Sequence, residues 1–219
     1  VIRRPAALCE LPGLVPYAEA LELQHRTVAM RQEREVPDTV LVLCHPPVLT
    51  LGRNASSSGV LASAEHLAQL GIEVHRVERG GQATYHGPGQ LVAYPILDLE
   101  DLGLSVVSYV RGLEQVLICA CASLGIVASR VEGIPGAFVG KAKIGAIGVR
   151  VNRGVSFHGL SLNIDPNLEH YRLIVPCGMA DTPVTSAAQV LGRSPGLEAA
   201  QSALVNALGE VLGLDFSRS

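Results

Sequence analysis

Two residues have the chemistry for covalent group transfer, Cys177 and Lys143. Cys177 stands in Val175-Pro176-Cys177-Gly178-Met179, where proline before and glycine after fix and expose the backbone. A nucleophilic thiolate needs such access, together with a positive neighbour that lowers its pKa. A structural cysteine packed under a loop fits the same pattern equally well. Lys143 opens Lys143-Ile144-Gly145-Ala146-Ile147-Gly148, an apolar, glycine-rich run. A lysine drawn into a site there would keep its charge beside a thiolate or phosphate. By spacing alone the simpler reading is a strand-end lysine reaching water, and Lys141 competes with it for any role.

A third feature is the stretch Arg79 to Gln90, RGGQATYHGPGQ. It combines four glycines and a proline with Arg79, Gln82, Thr84, Tyr85 and His86, five side chains of different hydrogen-bonding chemistry. Glycine lets backbone approach a ligand closely, and such loops on a rigid scaffold concentrate binding residues. A solvated hairpin loop would not need that variety. His86 and His158 each precede a glycine and can orient a substrate or move a proton, or serve as core or capping histidines. A metal site would require His86, His158, His170 and Cys177 to converge, which their spacing does not demand. The stretch matches neither a P-loop nor G-x-G-x-x-G, so no nucleotide fingerprint is present.

The elements that must position these residues read as follows. Tyr17 to Met30 is a helix with Tyr17, Leu21, Gln24 and Val28 on one side. Val40 to Cys44 is a buried strand, ended by His45-Pro46-Pro47, and Thr50 to Gly59 is a polar loop. Ser63 caps a short helix ending at Gly71. Strands at Ile72 to Val77 and Leu91 to Leu97 flank the glycine loop. Ser105 caps a helix over Val106 to Leu124, whose apolar stripe is Val106, Val110, Leu113, Leu117, Ala120, Cys121 and Leu124. Gly133 to Gly140 is a connector. Strands Lys143 to Val151 and Val155 to Ile164 are joined by a three-residue loop, Asn152-Arg153-Gly154. Asp165 to Ser186 is mostly irregular. A last helix begins with Ser194 as N-cap and Pro195 at N1. This order is not a regular βαβ repeat. It predicts an α/β fold of the α+β type, a mixed, largely antiparallel sheet flanked by helices, over one domain spanning 1–219.

Composition narrows the function classes. Of 219 residues, 48% are hydrophobic and 17% charged, ample for a sizeable core. The net charge of −3 and the absence of tryptophan give no support to a nucleic-acid partner. Five cysteines without a CxxC suit a reducing compartment better than a disulfide framework or zinc ribbon. The most apolar run, Val116 to Ala128, is too short and interrupted to span a bilayer. No signal-peptide order occurs. The expectation is a cytoplasmic protein bound to neither nucleic acid nor membrane.

Together these segments resemble the octanoyltransferases of protein lipoylation, the LipB family. The resemblance is carried by His45-Pro46-Pro47-Val48-Leu49-Thr50-Leu51-Gly52-Arg53, by RGGQATYHGPGQLVAYPILDL, by Lys143-Ile144-Gly145-Ala146-Ile147-Gly148-Val149-Arg150-Val151, by His158-Gly159-Leu160-Ser161-Leu162-Asn163 and by Val175-Pro176-Cys177-Gly178. The blocks stand in the family's order. Two departures occur: Cys44 where the family often has Glu, and Phe138 where it often has Trp. Neither alters a residue assigned to chemistry, though Phe138 would change a pocket wall.

The resemblance implies a fold like the catalytic domain of biotin and lipoate protein ligases. It implies transfer of an octanoyl group from octanoyl-acyl carrier protein to a lysine of a lipoyl domain, in the glycine-cleavage H protein or 2-oxoacid dehydrogenase E2 subunits. No cofactor and no metal is implied, and a monomer is expected. By motif position Cys177 is the acyl-thioester nucleophile and Lys143 lowers its pKa. Substrate is lined by Arg79, Gly80, Gly81, Gln82, Ala83, Thr84, Tyr85 and His86, and by Ala146, Ile147, Gly148, Gly159, Leu160 and Ser161. Three rivals remain: an ATP-dependent lipoate-protein ligase, a cysteine thioester hydrolase using His86 or His158, and a non-catalytic module that binds acyl groups or lipoyl domains.

Overall fold

Every residue from Val40 to Cys44 is apolar because both faces of that strand are covered. Val40, Val42 and Cys44 enter one cluster of the core, and Leu41 and Leu43 enter the other. This strand, β2 (Asp38–Cys44), lies inside an eight-stranded sheet of order β11-β1-β2-β6-β10-β9-β8-β7. The computed structural model describes residues 3–56, 59–175 and 182–217. The strands are β1 (Arg4–Leu14), β6 (Gln90–Ile96), β7 (Ser129–Val131), β8 (Ile134–Val139), β9 (Ala142–Asn152), β10 (Val155–Asn163) and β11 (Leu214–Asp215). β1 runs parallel to both β2 and β11, and the remaining neighbours are antiparallel. A second sheet has the order β4-β3-β5, from β3 (Val48–Leu51), β4 (Glu73–Arg76) and β5 (Ala83–His86). The fold is therefore mixed and largely antiparallel, as the element order predicts.

Helices cover both faces of the large sheet. α1 (Tyr17–Gln32) lies over β6 and β10, while α3 (Val106–Ser123) and α5 (Leu197–Leu212) pack together on the other side. Two short helices, α2 (Ala64–Gln69) and α4 (Ala187–Leu191), are capped by the hydroxyls of Ser63 and Ser186. A 3-10 turn spans Leu168–Leu173. α3, over Val106–Ser123, has the length and apolar composition of a membrane span by those two criteria alone. Its buried residues, among them Tyr109, Leu113, Val116, Leu117 and Cys121, nevertheless belong to the main core.

Several sequence expectations are corrected. The buried stripe of α3 runs through Tyr109 and Val116, whereas Val106 is exposed and Val110 only half-buried. Aromatic and β-branched residues off the assumed register decide that face. Thr50 and Leu51 belong to β3 rather than to a loop, since β4 and β5 pair with them on either side. A third of the glycine stretch, Ala83–His86, is strand, β5, for the same reason. Gly133 to Gly140 contains β8, which the pairing with β9 holds extended despite Pro135 and Gly136. Asn152 pairs with Val155, so the hairpin turn is the two residues Arg153 and Gly154. Both have positive φ, 46° and 85°, the geometry that matches strand twist in a two-residue turn. α5 starts at Leu197 with Gly196 as N-cap, after the expected Ser194-Pro195. β1 and the edge strand β11 carry no apolar alternation, and the sequence pattern does not predict them.

Candidate active site

The glycine stretch is clamped between two strands. The Gly80 N–H donates to the Val149 carbonyl of β9 at 2.9 Å. On the other side the N–H groups of Gly52, Arg53 and Asn54 donate to Gln82, Arg79 and Gly81 at 3.0, 3.1 and 3.1 Å. The His-Pro-Pro block and the glycine stretch, separate in sequence, thus form one unit. Arg79 anchors it from within. Its Nε donates to the Thr50 hydroxyl at 3.1 Å, its Nη2 to the Thr50 carbonyl at 2.7 Å and its Nη1 to the Gly80 carbonyl at 2.9 Å. Arg79 is buried, so it shapes this loop before it meets any ligand.

Beneath the loop lies a narrow pocket of about 40 Å³. It brings together Arg79, Gly81, Gln82, Ala83, Thr84 and His86 with Ala146, Ile147, Gly148, Gly159, Leu160 and Ser161. Pairing explains the convergence: Gly159 sits opposite Gly148, and Ser161 opposite Ala146, across β10 and β9. Gly159 is dictated by close approach. A Cβ there would stand 2.2 Å from the Ala93 carbonyl oxygen and 2.7 Å from Pro95 Cδ. Gly80 lies outside this pocket and lines the adjoining groove. Tyr85 lines neither. Strand alternation turns it to the other face of the small sheet, where its hydroxyl meets His170 Nδ1 at 2.9 Å and its ring packs on Tyr171. Tyr85 is a packing residue in this fold.

The groove, about 390 Å³, shares Gly81, Gln82, Ile147 and Gly148 with the pocket, and Lys143 lines it. Lys143 is buried, 7% exposed, so the reading of a lysine reaching water does not hold; Lys141 is the exposed one. Lys143 Nζ stands 5.3 Å from the centroid of the Phe138 ring. The Trp-to-Phe departure therefore touches the candidate lysine directly, and Phe138 is part of its environment. Cys177 lies outside the described residues. The chain rejoins the described structure beside Lys143, whose N–H donates to the Pro183 carbonyl at 2.8 Å and whose carbonyl accepts from Thr185 N–H at 2.9 Å. Among the described cysteines, burial pushes Cys121 up to about 12 and raises Cys44, which makes both poor nucleophiles.

The far wall of the pocket is aromatic and polar. Tyr17, Tyr94, His86 and His158 line it, with His45 behind Tyr94. His45 donates from Nδ1 to the Val15 carbonyl at 2.7 Å, so its Nε2 accepts the Tyr94 hydroxyl proton at 2.7 Å. The Gln90 amide nitrogen points at acceptors, the Tyr85 carbonyl, Asn163 Oδ1 and the Tyr171 oxygen, so its Oε1 must accept from His86 Nδ1 at 2.6 Å. This leaves His86 Nε2 as an acceptor. Burial holds the imidazoles neutral: His86 falls to about 3, His45 and His158 to about 4. Tyr17, Gln24, Tyr94 and Thr50 were not anticipated as site residues. Gln24 on an otherwise apolar helix side was the available signal. Among the described residues no group of three or more His, Cys, Asp and Glu could hold a metal, and His170 is committed to Tyr85.

Residues 16–209 match the family model for the lipoyl protein ligase A/B catalytic domain. An octanoyltransferase of Koribacter versatilis is 48% identical over 191 residues, covering 85% of this chain and 76% of that protein. An octanoyltransferase of Chloroflexus aurantiacus is 47% identical over 206 residues, covering 93% and 92%. The chain belongs to the octanoyltransferase family. It is thus an acyltransferase, and the blocks around Arg79, Lys143 and His158 are read in that light. Its fold is also that of a putative lipoate protein ligase from T. acidophilum solved with bound lipoic acid, with a TM-score of 0.72 over 97% of this chain and 87% of that one. Identity to that protein is 16%, so the likeness concerns the fold. Octanoyltransferase and ligase share the sheet that carries the pocket.

Proposed function

We propose that this octanoyltransferase moves an octanoyl group from octanoyl-acyl carrier protein to a lipoyl-domain lysine through a thioester on Cys177. The observation that carries the reading is the narrow pocket between the glycine stretch and the β9–β10 hairpin, opening into a groove lined by buried Lys143. In the first step the Cys177 thiolate attacks the donor thioester carbonyl. A C–S bond forms to Cys177, and the carrier thiolate leaves. In the second step the lysine amine attacks the acyl-enzyme, a C–N bond forms, the C–S bond to Cys177 breaks and the amine proton is lost. Thioester exchange is nearly balanced and aminolysis runs downhill, so no ATP is required.

Lys143 in this reading pairs its ammonium with the thiolate and lowers the pKa of Cys177. The acyl chain lies in the pocket under Arg79 to His86, against Ala146 to Gly148 and Gly159 to Ser161. The groove admits first the carrier arm and then the acceptor lysine. The acceptors are the glycine-cleavage H protein and the E2 subunits of 2-oxoacid dehydrogenases. The enzyme acts as a monomer in the cytoplasm.

Intact-protein mass spectrometry after mixing with octanoyl carrier protein tests this. An octanoyl adduct on the wild type, removed by hydroxylamine, absent as a thioester from Cys177→Ser and discharged by a lipoyl domain, is expected. Release of free octanoate without acceptor, at the rate of transfer, would indicate a hydrolase. Activity only with ATP and free acid would indicate a ligase and reduce Cys177 to a structural residue.

A further inference from the structure

The floor of the pocket crosses the large sheet from β9 to β6. Small residues line it from β9 and β10: Ala146 and Gly148, Gly159 and Ser161. Ile147 and Leu160, which alternate with them, pack into the core on the opposite face. The first large side chain along this floor is Tyr94 of β6. Leu160 pairs with Ala93, so the antiparallel register brings Gly159 level with Tyr94. In keeping with that, a Cβ on Gly159 would touch both Ala93 and Pro95, the chain neighbours of Tyr94. Gly148 stands opposite Gly159, so Gly148, Gly159 and Tyr94 form one row across three strands. On the next strand Leu41 pairs with Tyr94 and packs with it in the core under α1, and among the described residues none of β2 lines the pocket. The β9 end is open, because Ile147 and Gly148 are shared with the Lys143 groove.

Tyr94 is a fixed wall. It is 3% exposed, and its hydroxyl donates to His45 Nε2 at 2.7 Å, with His45 anchored in turn on the Val15 carbonyl. Tyr17, also a buried pocket residue, packs on the same His45 ring with centroids 5.2 Å apart. With its hydroxyl spent on His45, Tyr94 has only its ring to offer a ligand, an apolar surface suited to a methyl end. From β9 to β6 is two strand spacings, about 10 Å, which is the reach of an extended eight-carbon chain. We infer that Tyr94 is the specificity-determining residue for chain length: its ring stops the methyl end of the acyl group. This rests on the pocket being the acyl site. Tyr94 acts on the far end of the chain and takes no part in bond making at the thioester.

The test measures kcat/KM for transfer of carrier-bound octanoyl and decanoyl. The wild type is expected to favour octanoyl by about tenfold or more, the cost of forcing two methylenes against a packed wall. Tyr94→Leu is expected to bring that ratio to about one, since the smaller side chain leaves room behind it. Tyr94→Phe loses the same hydrogen bond to His45 but keeps the ring, and is expected to keep the wild-type ratio. Since Tyr94→Leu opens a cavity in the core and can compromise folding, a second measurement uses the wild type alone. It reads nuclear Overhauser contacts between the terminal methyl of bound octanoic acid and the Tyr94 ring protons, which are expected to be present. Equal transfer of both chains by the wild type, an unchanged ratio in a folded Tyr94→Leu, or bound octanoic acid without the methyl contact overturns the inference. The reading of the reaction fails differently. A wild type that transfers no octanoyl yet shows the methyl contact overturns the transfer and leaves Tyr94 as the end of an acyl site.

Discussion

Lys143 Nζ beside the Phe138 ring shows how a buried cation is kept. The ring face attracts the ammonium while excluding water, which strengthens any pairing with a thiolate. Lys143→Met is expected to slow acyl-enzyme formation at neutral pH by about 100-fold, matching a thiolate pKa about two units higher. Its pH–rate profile should shift to higher pH by the same amount; an unshifted profile would make Lys143 a packing residue. At Gly159 the constraint is steric. Gly159→Ala places a methyl against the Ala93 carbonyl and Pro95, both in a central strand with no room to yield. A loss of about 3 kcal/mol or more is expected, read by urea unfolding.

Among the elements, α1 is tied to the sheet by Arg31. Its Nε donates to Asp38 at 2.8 Å and its Nη2 to Asp101 at 2.8 Å, with Asp98 at 3.7 Å from Nη1. Asp38 also accepts the Asp98 N–H at 2.9 Å, which joins the end of β6 to the start of β2. Because α1 supplies Tyr17 to the pocket and Gln24 Oε1 to the N–H of the pocket residue His158, this ion-pair cluster holds one wall in register. Arg31→Met leaves the buried Asp38 carboxylate uncompensated and is expected to cost about 3–5 kcal/mol. The double variant with Asp38→Asn should recover part of that in urea unfolding, while a purely additive double variant would mean the pair contributes little. The strands are legible in sequence to different degrees for a physical reason. β2 and β6 are buried on both faces and read as apolar runs. β1, β3 and β8 contain or border Pro and Gly, and only pairing with a partner far away in sequence makes them strands.

Across the whole molecule three buried imidazoles, His86 and His158 of the pocket wall and His45 behind it, set an acid limit. Each is neutral in the fold to about pH 4 or below, whereas an exposed histidine protonates near 6.5. Between those values the unfolded chain binds more protons than the folded one, so stability rises with pH and is lost on acidification from 6.5 toward 4. Each such histidine removes up to about 1.4 kcal/mol per pH unit in that window. The melting temperature is expected to be clearly lower at pH 5 than at pH 7.5. Equal values would mean the imidazoles take up protons without unfolding.

Family and enzyme class were readable from the chain by itself, because glycines, prolines and polar side chains stand in contiguous blocks whose local pattern is self-contained. The side of the pocket each residue occupies was not. Tyr85 faces away because β5 alternates; Lys143 is buried because β8 and the segment after Pro183 close over it; and Tyr17, Gln24 and Tyr94 reach the site from a helix and a strand outside every block except that of Tyr94. Strand pairing and helix docking bring together residues far apart in sequence, and no local pattern records which partner closes over them. The unsatisfied imidazole of His158 belongs to that second class: a histidine before a glycine announces little, and only the packing around it leaves both ring nitrogens buried without a partner among the described residues.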